Sequence, residues 1–256
     1  MTSKNKPYPP VNQIDDVERI RMVRHIFSTI TGKYDFLNHF LSLRQDIVWR
    51  RSAVRRMRFL KTLRLLDVAT GTSDLAIAAA LKHPEIRVTG LDFVQEMVQA
   101  GGGKIRERGL ASRIDLIQGD ALSIPFPQQT FDVAAIAFGI RNIPDKVAAL
   151  REMIRVVTPG GKIMVLEMTF PQLPYIARFY DLYLNRMLPL LAGLVSPNPG
   201  AYRYLGDSIM NFPTIDRFLS LMKQAGLVQV NVHSMTFGIS RLFTGQKPLT
   251  PAWSEN

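Results

Sequence analysis

Leu63-Arg64-Leu65-Leu66-Asp67-Val68-Ala69-Thr70-Gly71-Thr72-Ser73-Asp74 changes character twice within one short stretch. Leu63 to Ala69 is an apolar run of strand length, Thr70 to Ser73 is turn chemistry, and Asp74 opens a helical pattern that lasts to Lys82. A strand that feeds a helix through a tight turn is the unit from which parallel sheets are wound. In such sheets ligands sit beyond the carboxyl ends of the strands. The small residues of the turn let the backbone approach a bulky ligand, and the N–H groups opening the next helix can meet a carboxylate. A single glycine, Gly71, also fits plain turn chemistry.

The alternation continues downstream. Ile86 to Leu91 is a second strand stopped by Asp92, and Val94 to Arg108 is a helix weakened by Gly101-Gly102-Gly103. Ile114 to Gln118 is a third strand running into Gly119-Asp120-Ala121. Phe131 to Phe138 is a fourth, followed by Gly139-Ile140-Arg141-Asn142. A helix from Asp145 to Val157 leads through Pro159-Gly160-Gly161 to a fifth strand, Lys162 to Met168. Thr214 caps a helix to Ala225, and Val228 to Ser234 and Phe237 to Thr244 are β-rich.

Upstream, the spacing of Val17, Ile20, Val23, Phe27 and Ile30 behind Asp15 and Asp16 predicts a helix. Tyr34, Leu37, Phe40 and Leu41 mark a second, and a third from Asp46 carries Val48, Met57 and Leu60 among arginines. Residues 1–60 thus read as a helical segment packing on an α/β domain at 61–247. Within that domain, about 171–212 form a helical insertion, and 248–256 form a loose tail. Tyr175, Phe179, Tyr180, Leu182, Tyr183 and Met187 make an aromatic and aliphatic stripe in the insertion, either plain core or a roof over a site.

The chain has 256 residues, 46% of them hydrophobic, and no cysteine, which excludes disulfides and cysteine metal sites. No metal-ligand spacing is evident, and His39 and His233 belong to no recognisable constellation. Met1 to Pro10 has no signal-like apolar core, and Met187 to Val195 is far short of the roughly 20 residues of a membrane span, so a cytoplasmic protein is expected. Lys and Arg number 32 against 21 acids, a net charge of +11. The excess gathers at Arg44, Arg50, Arg51, Arg55, Arg56, Arg58, Lys61 and Arg64, which suits either a solvated helix face or a polyanionic partner. No RNA-binding module, catalytic cysteine or Asn-Pro-Pro-Tyr motif is present, so no nucleic-acid partner is expected.

Three acids stand at three successive strand ends. Asp67 ends the first strand. Asp92 can accept both hydroxyls of an adenosyl ribose, or cap the helix from Val94. Asp120 can accept from an adenine amino group, or simply form a turn. Jointly they point to an adenosyl cofactor; the full G-x-G-x-x-G pattern for nicotinamide binding is missing.

These residues are similar to the motifs of class I S-adenosylmethionine methyltransferases, and more particular segments resemble the ubiquinone and menaquinone biosynthesis C-methyltransferase family. Those segments are Lys33-Tyr34-Asp35-Phe36-Leu37-Asn38, Trp49-Arg50, Asp67-Val68-Ala69-Thr70-Gly71-Thr72, Asp120-Ala121-Leu122-Ser123-Ile124-Pro125-Phe126, Phe138-Gly139-Ile140-Arg141-Asn142, Pro159-Gly160-Gly161-Lys162 and Ala201-Tyr202-Arg203-Tyr204-Leu205, with Ser208-Ile209 and Phe212-Pro213. They span residues 17–247. The resemblance implies a Rossmann-like, mostly parallel seven-stranded sheet with N-terminal helices and a helical lid. It implies S-adenosyl-L-methionine held by Asp67, Gly71, Thr72, Asp92, Asp120, Ala121 and Ala137. The substrate implied is a prenylated quinol, a naphthoquinol (demethylmenaquinol) or a benzoquinol.

For that substrate class, Arg141 and Asn142 are expected to hold and polarise the quinol oxygen. Arg141 otherwise reads as a surface arginine pairing Asp145. Tyr34 and Asp35 are expected to close over the acceptor, with Asp35 a proton acceptor or an orienter of Arg141; the plainer alternative is a buried tyrosine and a helix-breaking aspartate. The basic segment and the aromatic stripe together suggest docking on the inner, anionic face of a membrane. A homo-oligomer is left open. The chain departs from the family where Ser73 and Arg44 replace Gly and where Ala137 replaces Ser. Ser73 is tolerable there if its φ is negative. These departures keep a second class open, a cofactor-binding interaction protein without turnover.

Overall fold

The computed structural model describes residues 8–9, 13–188, 190, 198 and 200–249, and for Lys33 and Tyr34 the backbone only. The N-terminal helices are α1 (Asp16–Ile30), α2 (Tyr34–Leu41) and α3 (Gln45–Val54). Asp15 caps α1 as its sequence position predicts, accepting the Glu18 amide at 2.8 Å. α3 ends at Val54, so Met57 and Leu60 lie past it rather than on it. Met57 is still fully buried, while Leu60 is exposed.

The core alternates β1 (Arg64–Val68), α4 (Asp74–Lys82), β2 (Arg87–Asp92), α5 (Gln95–Glu107), β3 (Ile114–Gln118), β4 (Phe131–Ala137), α6 (Lys146–Val156) and β5 (Val157–Met168). Then come α7 (Pro174–Leu182), a π-helical turn (Tyr183–Met187), α8 (Gly200–Met210), α9 (Ile215–Gln224), β6 (Val228–Met235) and β7 (Ser240–Gln246). The strands form one seven-stranded sheet in the order β3-β2-β1-β4-β5-β7-β6. It is parallel except for β7, which is antiparallel to both β5 and β6. The order reverses between β1 and β4, which places a crevice beyond their carboxyl ends.

Strand periodicity sorts side chains onto two faces. Leu65, Val133, Ala135, Met164 and Leu166 face a core with α3 and α4. Leu66, Ala134, Ile136, Ile163 and Val165 face the opposite core, with α6 and α9. A third cluster, built from Met22, Ile26, Leu37, Tyr180, Leu184 and Tyr204, joins α1 and α2 to α7, the π-turn and α8. The aromatic stripe is therefore divided. Tyr180 is core, whereas Tyr175 and Phe179 are exposed. Most of the insertion between Leu188 and Gly200 lies outside the described residues, as does the tail beyond 249.

Asp132 anchors the helical segment to the sheet. Its Oδ2 accepts the backbone amides of Leu60, Lys61, Thr62 and Leu63, each at 3.0 Å. Two strand boundaries differ from the sequence reading by three residues or more. β5 starts at Val157 because the Pro159-Gly160-Gly161 turn is absorbed as an irregularity between the Phe131 and Val133 pairings with β4. The last strand starts at Ser240, because Phe237 has φ of 56° inside a 3-10 turn, which no strand accommodates.

Candidate active site

Two pockets open at the carboxyl edge of the sheet, and Phe138 belongs to both. The first encloses about 900 Å³, part of it open to solvent, over the β1, β2 and β4 turns. Of the residues expected to hold a cofactor, Gly71, Asp92, Asp120, Ala121 and Ala137 line it. Asp67 and Thr72 do not. Asp67 is buried beneath the turn, where its Oδ2 accepts Thr70 Oγ1 at 2.6 Å and the Ala76 amide at 3.1 Å. Thr72 donates to Asp35 Oδ1 at 2.5 Å. Both residues shape the turn from behind, because small turn side chains point away from the surface that the backbone offers.

Asp92 ties the turn after β1 to the start of the next helix. Its Oδ2 accepts the Gly71 amide at 2.7 Å and its Oδ1 the Val94 amide at 2.9 Å. A carboxylate offers about four lone-pair sites, so acceptor capacity remains on the pocket side. Burial raises the Asp92 pKa above the usual carboxylate range, against the opposing pull of those amides. Asp67, with an Oδ1 that has no partner, is pushed by burial up to about 7. Asp120 Oδ1 accepts the Leu122 amide at 2.9 Å, so Asp120 too forms a turn while lining the pocket.

The glycine-to-side-chain departures fall at positive φ, where glycine is favoured. Ser73 has φ of 68° and Arg44 has φ of 61°. The condition of a negative φ at Ser73 is thus not met, and its side chain stands in the left-handed region. Its buried hydroxyl has no partner. Phe138 is left-handed as well, at φ 60°, and Gly139 beside it is required, since a Cβ there would lie 2.7 Å from that of Ala69.

The second pocket encloses about 1050 Å³, again partly open, and is mainly apolar, with Leu41, Trp49, Tyr180, Leu184 and Ile239 in its wall. Arg141 lines it, whereas its neighbour Asn142 lines the first pocket. Arg141 is not the surface partner of Asp145. It is buried and donates through Nη1 to Glu167 Oε1 at 2.6 Å and to the Phe138 carbonyl at 2.5 Å. Glu167 Oε2 also accepts the Arg141 amide at 3.2 Å. Asn142 Oδ1 accepts the Tyr204 hydroxyl at 2.9 Å, fixing its amide from α8. The Arg141 carbonyl accepts Arg19 of α1 at 2.6 Å.

Asp35 does not orient Arg141; Glu167 does. Asp35 Oδ2 instead meets Lys104 Nζ at 2.6 Å, Lys104 meets Asp74 at 2.5 Å, and Arg50 bridges Asp74 and Asp46. His39 Nδ1 lies 2.8 Å from Asp46 Oδ2, which gives His39 a place in this chain that its sequence position did not show. His39, Asp46 and Asp74 converge as metal ligands do, but the Arg50 guanidinium already sits among them. His233 pairs with Arg56 on the surface, with 3.0 Å between Nε2 and Nη2. Tyr34 as a closing side chain falls outside the described residues.

Sequence reasoning also missed the α1 wall. Ile20, Val23 and Phe27 line the first pocket. Their spacing predicts one helix face but not what that face covers.

Sequence relatives of the chain are numerous. A protein of Geobacter sulfurreducens, named ubiquinone/menaquinone biosynthesis C-methyltransferase UbiE, is 42% identical over 91% of this chain and 91% of its own. A Thermus thermophilus demethylmenaquinone methyltransferase is 41% identical over 87% of this chain and 100% of its own. Among solved structures, a SAM-dependent methyltransferase of Thermotoga maritima, titled a possible histamine N-methyltransferase, superposes with a TM-score of 0.61 at 20% identity, covering 87% of this chain and 98% of that one. That likeness carries the fold alone. The sequence relatives carry more, and a family model matches residues 14–247, nearly everything the two pockets are built from. On that match the chain belongs to the ubiE/COQ5 methyltransferase family.

Proposed function

We propose that the chain methylates a ring carbon of a prenylated 1,4-quinol, demethylmenaquinol first, with S-adenosyl-L-methionine as donor. The observation that carries this reading is the pair of pockets meeting at Phe138, one rimmed with acids, the other apolar with two buried arginines, Arg50 and Arg141. The names of the two sequence relatives support the same substrate class.

The first pocket fits the donor on its own chemistry. Asp92 and Asp120 keep free acceptor capacity for ribose hydroxyls and an adenine amine, and Asn142 and Ala137 border the space toward Phe138. Bound there, S-adenosylmethionine supplies an electrophilic methyl on a positively charged sulfur. The protein's own tasks are then to aim the ring, exclude water and stabilise charge on oxygen. Arg141 donates to the quinol oxygen ortho to the accepting carbon and stabilises the phenolate as its proton leaves. Arginine cannot take that proton itself, since its pKa exceeds about 12. The accepting carbon would take the methyl that the bound donor supplies; its ring proton and the phenolic proton would pass to solvent, the oxygen would regain one, and aromaticity would be restored with one proton released overall. Glu167 keeps Arg141 in place and offsets its charge while the pocket is empty.

The apolar pocket suits a prenyl chain, and its rim includes Leu43 and Phe179, 81% and 65% exposed. If the protein draws its substrate from a bilayer, that rim is the contacting edge. Lys61 and Arg64 precede β1 or start it, so they lie at the opposite end of the sheet. Arg50 is buried. The basic run is therefore not a single membrane-facing surface. No described helix is long and apolar enough to cross a membrane.

The test is mass spectrometry of quinones from a deletion strain. Accumulated demethylmenaquinone, cleared by restoring the gene, is the expected result. A desmethyl ubiquinone precursor instead would move the substrate to the benzoquinol, and unchanged quinones would leave a cofactor-binding protein without turnover.

A further inference from the structure

Arg50 presents chemistry that the reaction as described does not use. It lines the same apolar pocket as Arg141. Each of these arginines is backed by a buried carboxylate, Glu167 for Arg141 and Asp46 for Arg50. Each also borders Phe138. The Arg50 Cζ lies 5.2 Å from the centre of the Phe138 ring, while Arg141 holds the Phe138 carbonyl. The described bonds of Arg50, to Asp46 and to Asp74, all run through Nη1. Its Nε and Nη2 hydrogens are thus available as donors. A tie between α3 and α4 alone is a weak reason for keeping a cation in an apolar wall, because apolar residues of similar volume replace buried ion pairs at little or no loss of stability.

We propose that Arg50 binds the second oxygen of the quinol, so that the acceptor pocket recognises a para-diol with two arginines, each held by its own carboxylate. This rests on the quinol reading given above. Arg141 takes the hydroxyl next to the accepting carbon. Arg50 takes the one across the ring and fixes which ring carbon faces the first pocket. Asp46 positions Arg50 from behind: its Oδ1 accepts Ser42 Oγ at 2.7 Å and its Oδ2 takes both His39 and Arg50. With Arg50 and Ser42 beside it, the Asp46 pKa stays below the usual range despite burial, so its carboxylate remains ionised across neutral pH. The discrimination expected is that of a charge-assisted hydrogen bond lost from a buried donor, roughly 10- to 100-fold.

The experiment compares two substrates under anaerobic, reducing conditions with the full-length protein. One is a short-chain 2-prenyl-1,4-naphthoquinol. The other is the matching 3-prenyl-1-naphthol, which keeps only the hydroxyl ortho to the accepting carbon. Calorimetric titration of 1,4-dihydroxynaphthalene against 1-naphthol supplies a readout independent of turnover. Wild type is expected to favour the diol roughly 10- to 100-fold in kcat/KM and to show the same preference in binding. R50M is expected to bring the two substrates within about threefold of each other, with the diol losing the more. R50K, which keeps the charge and loses the fork, is expected to retain part of the preference. If R50M does not fold, R50Q and R50K decide. A variant that lowers both substrates by the same factor, or keeps the wild-type ratio, overturns the assignment and leaves Arg50 a structural tie. Wild-type protein that methylates neither compound overturns the quinol reading and this assignment together.

Discussion

Ser73 fills the space that Gly101 leaves open: a Cβ built on Gly101 collides with the Ser73 hydroxyl oxygen. The two lie on different elements, the turn before α4 and the middle of α5. The glycine that weakens α5 is thus needed because a side chain stands at a left-handed turn position.

Ser73→Gly is expected to stabilise the protein by about 1 kcal/mol, since it removes a left-handed side chain and a buried hydroxyl without a partner, offset in part by added chain entropy. Gly101→Ala alone is expected to destabilise by about 1–2 kcal/mol through overpacking, despite better helix propensity. In the Ser73→Gly background the same change becomes neutral or favourable. Urea melts of the four proteins measure the coupling; additive effects would refute it.

Asp92→Asn is expected to weaken binding of S-adenosylhomocysteine roughly 10- to 100-fold, because a charged acceptor for hydroxyls is lost. The sign of the pH dependence follows from the raised pKa. As pH falls through it, the wild-type carboxylate gains a proton and affinity drops, at a higher pH than for an ordinary aspartate. The D92N protein should show a flat profile over that range. Titration calorimetry of both proteins at a series of pH values reads both.

Arg141→Met leaves buried Glu167 without its ion-pair partner, so a loss of roughly 3–5 kcal/mol in stability is expected together with a loss of turnover of roughly 100-fold or more. Replacing both members, R141M with E167M, should recover most of the stability and none of the turnover. Recovery of turnover in the double variant would show that the pair only holds the loop.

Asp67 makes stability depend on pH. Burial raises its carboxyl to about 7, so the folded state keeps a proton that the unfolded chain has lost above 3.8. Its stabilising contribution is therefore full below the unfolded value and is lost as pH rises through 7, amounting to at most about 4 kcal/mol. Asp67→Asn should remove this slope. Denaturant titrations of both proteins at closely spaced pH values test it, and parallel curves would count against it.

The alternation of strands and helices was legible because period and turn chemistry are local properties; α4 and β3 have the bounds the pattern predicts. Asp92 and Asp120 were legible for the same reason, standing where strands end. Arg141 was found, but not its partner. Glu167 is 26 residues away and comes alongside only because β5 pairs with β4, whereas Asp145 is near in sequence and irrelevant in space. The chain from His39 through Arg50 to Lys104 and Asp35 draws on α2, α3, α4 and α5, so no single stretch displays it. The facing of α1 depends on packing against the finished sheet, which helical spacing alone does not encode.

Phe138 borders both chambers, its ring beside Trp49 at 6.0 Å and Arg50 and its carbonyl held by Arg141. A residue shared in this way makes the passage between donor and acceptor sensitive to one side chain. Shortening that side chain would widen the passage for any small nucleophile, water included, and the molecule would then trade fidelity of transfer for leakage without losing either binding site.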